Sequence, residues 1–255
     1  MRRMELLLAG VAVALVGFVA ASAVRQRREA PVTPRAAPAD ADAGAGDAGP
    51  ASVATPDTAA YRDAGADHAE VRRRIVAAGE TWMPDLLAET DSVLFRWPDH
   101  QREALRVWID RAPALPRWDP QYAAMAALVF DEWRTAGFPM RFLFVPDSAS
   151  AQLRITWIDR FPEPRQLGNT IRLARTNGWI EQASVAVATV DAHDAPLPPA
   201  LVRATVRHEV GHALGLGHVR DSASVMYPNA YTLDIGPRDR ATLRLLYALP
   251  AGSVK

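Results

Sequence analysis

His208-Glu209-Val210-Gly211-His212-Ala213-Leu214-Gly215-Leu216-Gly217-His218 places three imidazoles and one carboxylate within a single short stretch. An α-helix turns about 100° per residue, so His208 and His212 lie within about 40° of each other on one face. Two neutral imidazoles in that relation can bind one Zn²⁺ at about 2.0–2.1 Å. Glu209 sits beside them, close enough to act on a metal-activated water without displacing it. His218 would fall on roughly the opposite side of a continued helix from His212. The chain therefore has to break and turn back, and Gly215 and Gly217 supply the backbone freedom for it. Three protein ligands leave a fourth position for water, the arrangement of a catalytic zinc site and not of a closed structural one.

The residues around the stretch support a metal site over a helix that happens to carry two histidines. Leu201, Val202, Val206, Val210 and Leu214 give that helix an apolar face, so it packs on a core. No glutamate follows Glu209, which excludes a third ligand from a downstream glutamate. Asp221, Asp234 and Asp239 stay as formal alternatives to His218.

Further out, the pattern is α+β. Leu105–Ile109 alternates as a strand should. Asp119-Pro120 begins a helix with an Asp cap and Pro in the first turn, and Gly137 stops it after Ala136. Residues 141–145, 153–158, 170–174 and 183–190 read as strands. Pro198-Pro199 opens the metal-binding helix, and Pro237 opens a last one ending near Leu249. Upstream, helical patterns cover Asp67–Ala78 and the residues after Pro84. Residues 30–60, rich in Ala, Pro, Asp and Gly, read as a disordered tether. Residues 6–24 are apolar or small throughout, long enough for a bilayer-spanning helix. The chain thus divides into an N-terminal signal or anchor segment (1–29), the tether (30–60), a lead-in or pro-region (61–91) and a catalytic domain (92–250).

Composition narrows the function. Formal net charge is zero and no long basic run occurs, so nothing points to nucleic acid. The absence of cysteine rules out disulfides and thiolate metal ligands. Arg25, Arg27 and Arg28 outnumber Arg2 and Arg3, a balance that by itself favours a cytoplasmic C-terminal domain.

His208 to His218 resembles the zinc signature of the metzincin clan of metalloproteases. Ser224-Val225-Met226-Tyr227-Pro228 resembles that clan's Met-turn, with Met226 eight residues past His218 as in the matrixin family. Asp221 also matches a matrixin position. The resemblance implies a twisted mixed β-sheet with two long helices, a small C-terminal subdomain ending in a helix, and a cleft between them. It implies that Met226 lies beneath the zinc without ligating it; the family's last helix also carries an acidic pair that helps fix the N-terminus, and here Asp239-Arg240 departs from that pair. It also places a rim strand near Gly168–Ala174, where Gly168, Thr170 and Arg172 would meet a substrate paired to the sheet edge, with Tyr227 and Pro228 forming a specificity wall. Val219 departs from the family's usual serine. A cysteine latch is impossible here, and too few residues separate Ile158 from Thr170 for the long loop that binds structural zinc and calcium in animal matrixins. His193 and Asp194 read as an exposed loop.

The expectation is a zinc-dependent endopeptidase with one catalytic ion and Glu209 as general base. Its partners would be a peptide or protein substrate and, through residues 6–24, a membrane. The family argument places the domain in the cell envelope outside the cytoplasm, either anchored by residues 6–24 or secreted after signal cleavage; a monomer is expected, and a structural calcium has no support in the residues. Two other readings fit the same ligands: a non-catalytic envelope-tethered zinc domain, and a zinc hydrolase of a non-protein envelope substrate.

Overall fold

The computed structural model describes residues 67–98, 103–163, 165–228 and 234–255. The expected anchor (residues 1–29) and tether (30–60) lie outside them. Among the described residues no helix is long and apolar enough to cross a membrane.

Five strands form one mixed sheet in the order β3-β2-β4-β6-β5: β2 is Leu105–Ile109, β3 Phe142–Phe144, β4 Leu153–Ile158, β5 Gly168–Ala174 and β6 Ile180–Ala188. β2, β3, β4 and β6 run parallel, and β5 is the antiparallel edge strand. Parallel neighbours need crossovers, and the first is α3 (Pro120–Ala136), which joins β2 to β3. Asp119 caps that helix by accepting from Gln121 N at 2.8 Å, with Pro120 in the first turn. Its buried face is Tyr122, Ala123, Ala126, Val129, Phe130, Trp133 and Ala136, a spacing of three and four that keeps one stripe on the sheet.

β5 and β6 are joined through Asn177-Gly178, where Gly178 has φ +85°. β6 starts earlier than the alternation suggested, at Ile180. It stops at Ala188 because Thr189 and Val190 turn away to donate to Asp159 O. The connection between β4 and β5 is short, residues 159–167.

α4 (Pro199–Ala213) packs beside α3 and beneath β5 and β6. Trp133 of α3 donates its indole N–H to Arg207 O at 3.1 Å. Glu132 of α3 receives the guanidinium groups of Arg203 and Arg207. Val202, Val206 and Val210 are fully buried.

The lead-in residues are part of the same core. α1 is His68–Ala77 and α2 is Met83–Glu89. Val71, Met83 and Leu86 are buried with the sheet and helix residues in one cluster. Trp97 is fully buried and donates its indole N–H to Ala213 O at 2.9 Å, tying the lead-in to the end of α4. After α5 (Pro237–Ala248) the chain does not stop at the helix. It returns as β7 (Gly252–Ser253), which pairs antiparallel with β1 (Val93–Leu94). Arg72 and Arg74 of α1 donate to Val254 O and Ala248 O at 2.7 Å each. Two short strands alone would be marginal; here α1 holds the chain before and after β7 through these two arginines.

Candidate metal and catalytic site

α4 ends where the sequence demanded a break. Gly215 N donates to His212 O at 2.9 Å and Leu216 N to Gly211 O at 3.0 Å, with Gly215 at φ +103°. This pair of bonds is a Schellman ending, which needs a left-handed residue just past the helix. A side chain at Gly215 would also strike Phe95 O. The reversal carries His218 back beside the helix.

The three imidazoles converge. His212 Nε2 lies 3.1 Å from His208 Nε2 and 3.2 Å from His218 Nε2. Each Nδ1 has another partner: Val225 O at 2.8 Å for His208, Leu216 O at 3.0 Å for His212, and Glu89 Oε1 at 2.8 Å for His218. Nδ1–H donation to an oxygen leaves the Nε2 lone pair free and fixes the ring's aim. Burial, then the neighbouring histidines, holds His212 well below the ordinary imidazole range; burial also lowers His208. Neutral rings with free lone pairs suit a metal ion. Among the described residues, this trio is the group of metal-ligating side chains close enough to share one. Asp221 accepts from Ala223 N and is exposed, Asp234 is exposed, and Asp239 is buried elsewhere, so none of the three joins it.

Glu209 points into the same cleft, an open space of about 550 Å³ lined by the histidines, Glu89, Pro228 and β5 residues. Burial pushes its carboxyl up to about 7 in the metal-free protein, against a lowering contribution from the Thr170 hydroxyl. Thr170 donates to Glu209 Oε2 at 2.6 Å. A Cβ on Gly168 would land on the Glu209 carboxylate. Arg172 donates to His212 O at 3.1 Å, a cation at the C-terminal end of α4, where the helix dipole is negative. Gly168, Thr170 and Arg172 thus share one face of the strand, as a period of two requires. They hold the helix and its glutamate as well as lining the cleft. Pro228 lines the cleft too, and Tyr227 sits in the turn before it, its N–H donating to Ser224 O at 3.2 Å.

Met226 is buried beneath α4 at Gly211, where any Cβ would collide with its sulfur. The turn that carries it is held by Asp239. That carboxylate accepts from Gly236 N at 2.9 Å, from Val225 N at 3.2 Å and from the Ser224 hydroxyl. Asp239 therefore anchors the Met-turn, because the first turn of α5 aims it there. His193 is exposed on its loop, and Asp194 faces Arg117 and Arg160.

The matrixin family model matches residues 109–248, from the end of β2 to the end of α5. The chain belongs to the matrixin family. A probable matrix metalloproteinase of Invertebrate iridescent virus 3 is 36% identical over 97 residues, which is 37% of this chain and 24% of that protein. The match thus spans about a quarter of the viral relative's length. Family membership implies zinc as the metal, and the donor set fits it: three converged imidazole nitrogens whose second nitrogens are satisfied. The residues that sequence reasoning missed are Glu89 and the Thr170 contact to Glu209. Each contact joins side chains remote in sequence, and no local pattern marked it.

Proposed function

We propose that this matrixin is a zinc-dependent endopeptidase in which Glu209 is the general base. The observation that carries the proposal is the joint placement of three converged Nε2 atoms and a buried, Thr170-held carboxylate along one open cleft. Zinc bound at His208, His212 and His218 would supply Lewis-acid polarisation and lower the pKa of water towards about 7.

The chain's own residues do the rest. Glu209 takes a proton from the attacking water and later passes it to the leaving amine. Thr170 fixes Oε2, so the carboxylate keeps one orientation through the cycle. β5 is the edge of the sheet beside the cleft, so its free backbone groups can pair with an extended substrate. Pro228 lines the same cleft. A zinc-binding scaffold would gain nothing from a buried acid, a hydroxyl turned on it and a glycine cleared for it. We also propose that the domain lies outside the cytoplasm, anchored through residues 6–24 or released after signal cleavage.

The test is cleavage of casein and of a quenched peptide library by zinc-loaded protein, with and without chelator. Chelator-sensitive cleavage is expected, absent in Glu209→Gln. Zinc-loaded wild type that cuts no peptide would sink the proposal.

A further inference from the structure

Glu89 closes α2 and lies upstream of the stretch that matches the family. Its carboxylate meets His218 twice: Oε1 accepts from the ring Nδ1–H at 2.8 Å, and Oε2 accepts from the His218 backbone N–H. Gly217 leaves the room, since a Cβ there would collide with Oε2. His208 and His212 ride on α4 and give their Nδ1 protons to backbone carbonyls. His218 sits on the loop past the helix and takes a carboxylate instead. That partner is carried by an element the core holds fast. Met83 is fully buried, Leu86 is 1% exposed, and Trp82 N donates to Thr242 Oγ1 at 2.7 Å.

We propose that Glu89 is a positioning residue for the third metal ligand, His218, which makes residues 68–89 a permanent part of the metal centre and not a removable pro-region. The inference rests on the zinc reading above. A carboxylate on Nδ1–H fixes the tautomer that presents Nε2 and raises its basicity. Removing such an outer partner typically weakens metal binding by about 10–100-fold. The second bond, to the backbone N–H, pins the loop as well as the ring.

The experiment uses the full chain as wild type, Glu89→Ala, Glu89→Gln and the exposed-charge control Glu80→Gln. Zinc affinity is read by competition with a chromophoric chelator, and metal-free thermal melting is followed in parallel. Glu89→Ala should bind zinc about 10–100-fold more weakly. Glu89→Gln should lose less, because an amide can accept one of the two N–H groups but offers NH₂ to the other. Glu80→Gln should bind like wild type, and metal-free melting should barely change. Unchanged zinc affinity in both Glu89 variants, with wild type binding one equivalent, overturns this inference and leaves the zinc reading standing. A lowered metal-free melting temperature with unchanged affinity makes Glu89 structural and also overturns it. Wild type that binds no zinc overturns both. If Glu89→Ala fails to fold, Glu89→Gln decides.

Discussion

Replacing Glu209 with glutamine should stabilise the metal-free protein at neutral and alkaline pH while destroying its activity. Glu209 is 6% exposed, and burial moves its carboxyl from the usual 4.5 up to about 7. A raised pKa means that the folded chain holds the proton more tightly than the unfolded chain. Its stability therefore falls as pH climbs from the unfolded value to the folded one, then levels off. At about 1.4 kcal/mol per tenfold change in proton affinity, the full cost of ionising this buried group is about 3 kcal/mol. Most of that, about 2.5 kcal/mol, develops between about pH 5 and 8. Glutamine has nearly the same shape, can still accept the Thr170 hydroxyl, and does not ionise. The assay is urea unfolding of both proteins in chelator at the two pH values. Every other titratable side chain is common to the two proteins, so the difference of differences reads the change at position 209. It should move by about 2.5 kcal/mol in favour of the variant as pH rises. A stability difference independent of pH would show that burial does not hold the proton, and would refute the reasoning.

Two more outcomes are expected. Gly168→Ala sets a methyl against the Glu209 carboxylate; peptide turnover should drop at least about tenfold, since misplacement by about 1 Å can cost far more, while zinc content by metal analysis stays at one equivalent. Asp239→Ala strands the buried N–H of Val225 and that of Gly236, so urea unfolding should show a loss of about 2–4 kcal/mol, with the Met-turn and its hold on His208 loosened.

The sequence alone determined what depends on local period and steric necessity. A four-residue spacing puts His208 and His212 on one helix face wherever that helix sits. Glycine at 215 permits the left-handed ending that brings His218 round. Capping residues and alternation located α3, α4, α5 and the five sheet strands to within a few residues. Met226 was legible only through the resemblance of residues 224–228 to the family's Met-turn. Tertiary structure decided which remote groups meet. Glu89 reaches His218 across more than a hundred residues. Thr170 reaches Glu209 because β5 pairs outside β6 with its even-numbered residues facing α4. Asp239 was visible as an acid at a helix start, but its hold on the Met-turn depends on how α5 lies against that turn. Likewise β7 found β1 only once α5 had carried the chain back to the lead-in. Periodicity records how a segment curls and which side is apolar. It holds no record of the partner, because pairing is fixed by packing the whole core at once.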